Sequence, residues 1–166
     1  ASMDLMQLCG VVKNRYDDAT VLERPQEILV DVIGIGAGVV DRLREQNLPV
    51  RGVNVSESSS TKKNYLNLRA ELWFAIKDWL AQRDCRLPID DELASELAAP
   101  LYKYTSTGKI KIESKDEMRK RGIKSPDKAD ALALTMASSA ASFSGSESVF
   151  GYNFKKPLKS RIIRVG

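Results

Sequence analysis

Three aspartates occupy positions where metal-dependent chemistry would need them. Asp31 interrupts an apolar run just before a glycine-rich turn, and Asp127 and Asp130 lie three residues apart near the end of the chain. An ionised carboxylate within an apolar strand costs several kcal/mol unless a cation or several hydrogen bonds compensate it. Two acids on one helical face repel each other unless a divalent cation lies between them. A metal site would therefore explain Asp127 and Asp130 together.

Asp127 also has a purely structural interpretation. Ser125 suits a helix N-cap, Pro126 the first helical position, and an acid at 127 complements the positive end of the helix. That interpretation does not cover Asp130, because residues 127, 130, 134 and 137 share one partly apolar helical face.

The composition restricts the chemistry to carboxylates, lysines and a hard metal ion. The chain has no histidine, which excludes imidazole bases, Ser-His and Cys-His pairs and histidine metal sites. Its two cysteines, Cys9 and Cys85, lie far apart, which argues against a thiolate metal site or a disulfide framework. Carboxylate, water and phosphate oxygens are the ligands of Mg²⁺ or Mn²⁺. The composition therefore favours phosphate chemistry.

Positive charge is concentrated in two segments of the chain. Residues 103–124 carry eight basic and three acidic residues, and residues 155–164 carry five basic residues and no acid. Local basic surfaces suit a polyanionic partner such as DNA, since neutralising phosphates releases counterions. The alternative is that these residues form ordinary solvated faces and a basic tail.

The elements that would position these residues alternate along the chain. Apolar spacing predicts a helix over residues 4–17 with Asp4 as its N-cap, and the β-branched run 28–33 predicts a buried strand. A glycine turn at 34–38, a helix to about Gln46 and a second strand over 50–55 complete a parallel βαβ unit.

The second half of the chain is predicted to combine helices with a hairpin. Helices are expected over 64–82 and 90–99, strands over 101–104 and 109–113 around Gly108, and a basic helical turn over 115–121. A final helix is expected from Ser125 to about Ser139. The predicted fold class is α/β, with a short parallel βαβ core flanked by helices and accompanied by a β-hairpin.

Three segments together resemble the nuclease domain of tailed-phage large terminase subunits. They are LVDVIGIGAGVVDRLRE, the helix containing NLRAELWFAIKDWL, and LAAPLYKYTSTGKIKIESKDEMRKRGIKSPDKADALALT. The match covers most of residues 4–139 in order. The resemblance implies a partial RNase H-like fold related to RuvC-type resolvases. It also implies an endonuclease that cuts concatemeric viral DNA by two-metal phosphodiester hydrolysis with Mg²⁺ or Mn²⁺.

By this resemblance, Asp31 matches the second acidic position of the family, and Asp127 and Asp130 match its D-x-x-D-A pattern. All three would be catalytic metal ligands, with Asp127 slightly favoured over Asp130. The hairpin and the basic turn lie where the family is thought to approach double-stranded DNA. The expected DNA-binding residues are Lys103, Lys109, Lys111, Lys115, Arg119, Lys120 and Arg121.

The sequence departs from the family at its beginning. The first acidic residue of the family lies on an earlier strand, and this chain has neither that strand meander nor a P-loop for the motor's ATPase domain. We therefore expect a cloning scar at 1–3, a nuclease fragment lacking its first strands at 4–139, and a Ser-rich linker with a basic tail at 140–166.

Such a fragment should be weak or inactive alone. In the parent protein its partners would be an ATPase domain, the small terminase subunit and the portal. With neither a signal peptide nor a membrane segment, the setting would be the cytoplasm of the bacterial host.

Two other functions remain open from the residues. ILVDVIGIGAG superficially resembles the first motif of SAM-dependent methyltransferases, so a SAM- or nucleotide-binding Rossmann-like enzyme is one alternative. The spacing of Gly34 from Asp31 and the absence of an acid after the second strand, which continues into Asn54-Val55-Ser56, count against it. The other alternative is a non-catalytic DNA-binding or assembly fragment.

Overall fold

The computed structural model describes residues 3–61, 64–83 and 85–137, and these form two compact units. The first unit, residues 3–55 of the described chain, contains α1 (Leu5–Asp18), β1 (Ile28–Asp31), α2 (Gly36–Glu45) and β2 (Val50–Val53). The second, which begins at residue 56, contains α3 (Leu68–Ala81), α4 (Asp91–Ala98), β3 (Tyr102–Tyr104), β4 (Ile110–Ile112), α5 (Lys115–Lys120) and α6 (Asp127–Thr135). The predicted 140–166 linker and tail lie outside the described residues.

The first unit is the predicted βαβ unit. β1 and β2 pair in parallel, with Ile28 opposite Val50 and Asp31 opposite Val53. The apolar side of α2 meets α1 in a core built on Cys9, Val39 and Leu43. Both strands are shorter than predicted, and β1 ends at Asp31 because the aspartate side chain accepts the backbone N–H of Ile33 and Gly34 adopts a φ of 69°.

The helix at the start of the chain begins as predicted. Asp4 is the N-cap of α1, and its carboxylate accepts the backbone N–H of Gln7 at 2.8 Å. The Gln7 side chain in turn accepts the backbone N–H of Asp4, completing a capping box. Two of the free N–H groups at this helix end are therefore satisfied locally.

At Gly36, a side chain would collide with the backbone of the first unit. A Cβ placed there would lie 1.7 Å from the backbone oxygen of Asp31, because the first turn of α2 passes directly over the end of β1. Gly36→Ala is therefore expected to lower the free energy of unfolding by about 3 kcal/mol or more. Chemical denaturation would measure the loss.

Gly10 provides the matched control for this substitution. It lies within α1, and a Cβ there would meet nothing within 4 Å. Gly10→Ala should therefore be neutral or stabilise the protein by up to about 1 kcal/mol, since alanine is the better helix former. Equal stabilities of the two variants would contradict the close approach of α2 to Asp31.

The second unit pairs a helical layer with the predicted hairpin. β3 and β4 are antiparallel, with Lys103 opposite Lys111, and α3 packs against α6. The predicted helix 64–82 begins later, at Leu68 with Asn67 as its N-cap, because Tyr65 pairs with Ile110 of β4. That pairing joins residues distant in sequence, so helical periodicity could not reveal it.

The last helix begins differently from the prediction. Pro126 occupies the N-cap position without a side-chain hydrogen bond, and the hydroxyl of Ser125 instead donates to Asp127 Oδ1 at 2.6 Å. The expectation of Ser125 as N-cap and Pro126 as first helical residue was therefore wrong. The carboxylate of Glu96 on α4 accepts the backbone N–H of Ala129 at 2.9 Å, so a distant side chain satisfies this helix end.

Among the residues that the structure describes, no helix has both the length and the apolar content needed to cross a bilayer.

Candidate active site

Asp127 and Asp130 lie together around the ammonium group of Lys115. Lys115 Nζ is 3.1 Å from Asp127 Oδ1 and 3.2 Å from Asp130 Oδ2. One lysine therefore bridges the two carboxylates that the sequence singled out. From the sequence, Lys115 was expected only to bind DNA. Its contact with the two aspartates could not be foreseen, because the lysine lies on a different helix.

Lys115 is placed there by the turn that leaves the hairpin. β4 ends at Ile112, and Ser114 caps α5, where its hydroxyl accepts the backbone N–H of Glu117 at 3.2 Å. The Glu117 carboxylate accepts the backbone N–H of Ser114 at 2.8 Å, which closes a second capping box. Lys115 is the first residue of the helix that this box fixes.

Asp130 is held by a second set of contacts, from α3. Its Oδ1 accepts N–H groups from Arg69 Nη2 at 3.1 Å, Arg69 Nε at 3.3 Å and Trp73 Nε1 at 2.9 Å. The side chain of Asp130 is 21% exposed and that of Arg69 only 15%. Neither Arg69 nor Trp73 was a candidate site residue in the sequence.

The positive and negative charges of this cluster compensate one another within the protein. Loss of hydration lowers the pKa of Lys115, but the carboxylates of Asp130 and Asp127 outweigh that effect and raise it above its ordinary value. Loss of hydration likewise raises the pKa of Asp127, but hydrogen bonds from Ser125 and Lys115 outweigh it and hold it below its ordinary value. Both groups are therefore charged at neutral pH.

The sequence argument that two neighbouring acids require a divalent cation is corrected by these contacts. Lys115 and Arg69 already bring positive charge to Asp127 and Asp130. The repulsion between the acids thus has an explanation within the protein, and their metal-binding role stays a prediction.

Asp31 lies in the other unit, as the last residue of β1. Its Oδ1 accepts the backbone N–H of Ile33 at 3.1 Å, a local turn that fixes the side chain at the carboxyl end of the parallel strand. Parallel α/β sheets commonly bind ligands at this edge. Asp41, in contrast, is exposed on α2.

The predicted DNA-binding residues differ in how far nearby acids neutralise their charge. Lys103 and Lys111 share Glu117, at 3.2 and 3.6 Å, and Arg121 contacts Glu113 at 2.6 Å. Arg119 pairs with Asp116 at 3.3 Å. Lys109 and Lys120 make no salt bridge within the described parts of the chain, so they carry the least compensated charge of the set.

Glu117 joins the hairpin to α5, and its titration gives a pH test of this region. Hydrogen bonds from the backbone and hydroxyl of Ser114, and then from Lys103, lower the pKa of Glu117 to about 2. A depressed folded-state pKa stabilises the fold above the ordinary value of 4.5 and loses that contribution as the pH falls towards about 2.

Glu117→Gln keeps the shape of the capping residue but removes its charge. The wild type should therefore be the more stable protein above pH 4.5, and the difference should shrink as the pH falls towards about 2. Urea denaturation midpoints of both proteins across this range would show it. A difference independent of pH would contradict the role of the charged form.

The donor chemistry of the Asp127 and Asp130 pair fits a hard divalent cation. Both residues offer carboxylate oxygens, and Oδ2 of Asp127 accepts no hydrogen bond from the described residues. Asp31, in the first unit, offers a carboxylate of the same kind. In neither unit do the described residues gather three or more Asp, Glu, His or Cys side chains into a group that could hold a metal ion. Within the second unit the arrangement is thus a carboxylate pair with a lysine.

Comparison with known proteins identifies the fold. No protein-family model matches the chain, and no curated protein matches it significantly. Solved structures do match it, among them the nuclease domain of the large terminase subunit gp2 of bacterial virus Sf6. That domain is 22% identical, with a TM-score of 0.63, and the match covers 80% of this chain and 72% of that chain.

Variants of the same domain, each with one lysine replaced by alanine, match with the same coverage. One, with manganese and beta-thujaplicinol, has a TM-score of 0.65 and 21% identity, and another, with calcium, has a TM-score of 0.63 and 21% identity. The mixed α/β chain therefore has the RNase H-like fold of a terminase nuclease domain, as the sequence predicts.

Proposed function

We propose that this protein is the metal-dependent DNA endonuclease part of a phage genome-packaging terminase. The observation that carries the proposal is the fold shared with the Sf6 nuclease domain over 80% of the chain. The sequence resemblance points to the same family independently. Asp127 and Asp130 lie in the first turn of α6, and Asp31 ends β1. These are the three carboxylates that the sequence resemblance assigned to the reaction.

Mg²⁺ or Mn²⁺ is the proposed cofactor, and Asp31, Asp127 and Asp130 are its proposed ligands. The Sf6 domain was solved with manganese and with calcium, both hard cations that suit carboxylate oxygens. When bound, the ions would supply an activated water and stabilise the leaving oxygen of a phosphodiester.

The protein's own groups bind and orient the substrate. Lys115 keeps its proton at neutral pH because its pKa is raised, so its ammonium can hold oxygen atoms but cannot act as a base there. The lysines of the hairpin and of α5 would contact phosphates, which contributes affinity but no sequence preference. Double-stranded DNA is the proposed substrate, and the ATPase domain, the small terminase subunit and the portal are the proposed partners.

A SAM- or nucleotide-binding enzyme is less well supported. The glycine turn that suggested it has a structural reason, since Gly36 allows α2 to pass over the backbone of Asp31. A glycine needed for that packing is no evidence for a phosphate-binding loop. A non-catalytic DNA-binding fragment keeps the same fold and differs only in lacking cleavage.

The test is cleavage of supercoiled plasmid in millimolar Mn²⁺, together with Mn²⁺ binding measured by calorimetry. We expect nicking that EDTA abolishes, and DNA binding that persists in EDTA. Because weak activity of this chain alone is a prediction from the sequence, nicking is followed over long incubations. Absence of both Mn²⁺ binding and nicking would overturn the proposal, whereas binding of SAM would support the alternative enzyme.

Lys109 and Lys120, which make no salt bridge to the described residues, give a separate prediction about DNA binding. Each phosphate contact contributes about 0.9 to the slope of log affinity against log salt concentration. Replacing both Lys109 and Lys120 with alanine should therefore flatten that slope by about 2, with similar losses of affinity on unrelated sequences. Fluorescence anisotropy with labelled duplexes at several salt concentrations would measure it.

The matched control replaces Lys103 and Lys111, whose charges are shared with Glu117. That double variant should flatten the slope less. An unchanged slope without Lys109 and Lys120 would show that these lysines are ordinary solvated residues.

A further inference from the structure

We propose that Arg69 and Trp73 are positioning residues that fix the carboxylate of Asp130 so that only its Oδ2 faces the metal. This inference rests on the proposed function and deepens it, because it assigns different metal-binding roles to the two aspartates of α6. Asp130 becomes the rigid ligand that binds through one oxygen. Asp127 becomes the adaptable one.

The hydrogen bonds of Asp130 are distributed unevenly over its two oxygens. Three N–H groups, two from Arg69 and one from Trp73, converge on Oδ1 at 2.9–3.3 Å. An ionised carboxylate has about two acceptor sites on each oxygen, so Oδ1 has no capacity left for a cation. Oδ2 has a single described contact, the ammonium of Lys115 at 3.2 Å.

Arg69 can position Asp130 because it is itself held in place. Its Nη1 donates to the backbone oxygen of Glu113 at 2.7 Å, and its guanidinium lies 5.7 Å from the ring centroid of Trp73. The donors that orient Asp130 therefore come from α3 and are braced against the residue that follows β4. A planar guanidinium fixed in this way sets the plane of the carboxylate as well as its charge.

Asp127 lacks such support. Its side chain is 76% exposed, and its Oδ1 contacts are the hydroxyl of its neighbour Ser125 and the ammonium of Lys115. An exposed carboxylate with two flexible partners can turn towards an ion, but its direction is not fixed beforehand. The slight preference of the sequence analysis for Asp127 as the main ligand is therefore reversed in this proposal.

The competing explanation is that Arg69 and Asp130 only fasten α3 to α6. A fastening contact affects stability, whereas a positioning contact also affects ion affinity. When a residue that holds a metal ligand by hydrogen bonds is removed, metal affinity or activity typically falls about 10- to 100-fold. Ion affinity is therefore the measurement that separates the two explanations.

The experiment compares Mn²⁺ affinity, by calorimetry, among wild type, Trp73→Phe, Arg69→Lys and Trp79→Phe. Trp73→Phe removes one N–H donor and keeps an aromatic ring, and Arg69→Lys keeps the charge but loses the planar fork. Each should weaken Mn²⁺ binding about 10-fold. Each should also lower kcat for plasmid nicking with little change in the KM for DNA.

Trp79→Phe is the matched control, since it makes the same change in size on the same helix, six residues further on. It should leave Mn²⁺ affinity unchanged. In a background of Asp130→Asn, Trp73→Phe should have no additional effect on affinity, because the residue it positions is no longer a carboxylate.

Unchanged Mn²⁺ affinity in both Trp73→Phe and Arg69→Lys would overturn the inference while leaving the proposed function in place. The same holds if Trp73→Phe weakens binding equally with and without Asp130. A wild-type protein that neither binds Mn²⁺ nor nicks DNA would overturn both proposals together.

Discussion

Asp31→Asn is expected to lower Mn²⁺-dependent cleavage by more than about 100-fold and to leave the fold and DNA binding nearly intact. Removing a residue that merely orients a metal ligand lowers metal affinity or activity about 10- to 100-fold. Loss of the ligand's own charge should therefore have an effect larger than that range. The amide oxygen can still accept the N–H of Ile33, so the turn after β1 is preserved. Plasmid nicking rates, paired with circular dichroism and duplex binding, would measure the three properties.

Asp41→Asn is the control for this loss. Asp41 is exposed on α2, the helix that follows the glycine turn, and the substitution removes the same charge. Its nicking rate should stay within about a factor of two of the wild type, as expected for a surface change. Comparable activity in Asp31→Asn and Asp41→Asn would refute Asp31 as a ligand.

The second large effect is a contrast between the two aspartates of α6. Asp130→Ala should abolish cleavage and also lower the free energy of unfolding by about 2–4 kcal/mol, because it leaves the Arg69 guanidinium and the Trp73 N–H without their acceptor. Asp127→Ala should abolish cleavage but change the free energy of unfolding by only about 0.5 kcal/mol, since its side chain is mostly exposed.

Urea denaturation and plasmid nicking on the same protein preparations would measure this contrast. The comparison is internal, since both substitutions remove a carboxylate from one turn of one helix. Equal stability losses in the two variants would contradict the asymmetry of their contacts. Retained cleavage in either variant would remove that aspartate from the proposed ligand set.

The local elements could be predicted because local physics determines them. Asp4 and Gln7 form the capping box of α1, and the strand, glycine turn and helix around Asp31 form the parallel unit that their pattern indicated. The predicted hairpin turns at Gly108, whose φ of 76° lies in the left-handed region that glycine adopts without strain. In each case the interacting residues lie within a few positions of one another or follow a regular period.

The contacts that define the site could not be predicted in this way. Arg69 and Asp130 are 61 residues apart, and no periodicity within α3 or α6 identifies them as partners. The bridge from Tyr65 to Ile110, which delays the start of α3, is equally long-range. Lys115 was recognised only as positive charge, since its place between two carboxylates depends on where the start of α5 lies relative to the start of α6.

The lysine between Asp127 and Asp130 also separates folding from ion binding. In proteins whose ligands repel one another or lie apart without the metal, binding energy is folding energy, and chelators unfold the chain. Here the ammonium of Lys115 acts as an internal counterion between the two carboxylates. We therefore expect the chain to fold without an ion, and an ion at the proposed site would have to displace the lysine. Added Mn²⁺ at a hundredfold excess over its Kd should therefore raise the free energy of unfolding by about 2.7 kcal/mol, and the thermal midpoint should rise accordingly. In the proposed endonuclease, the supply of ions would then switch cleavage on and off while the fold persists.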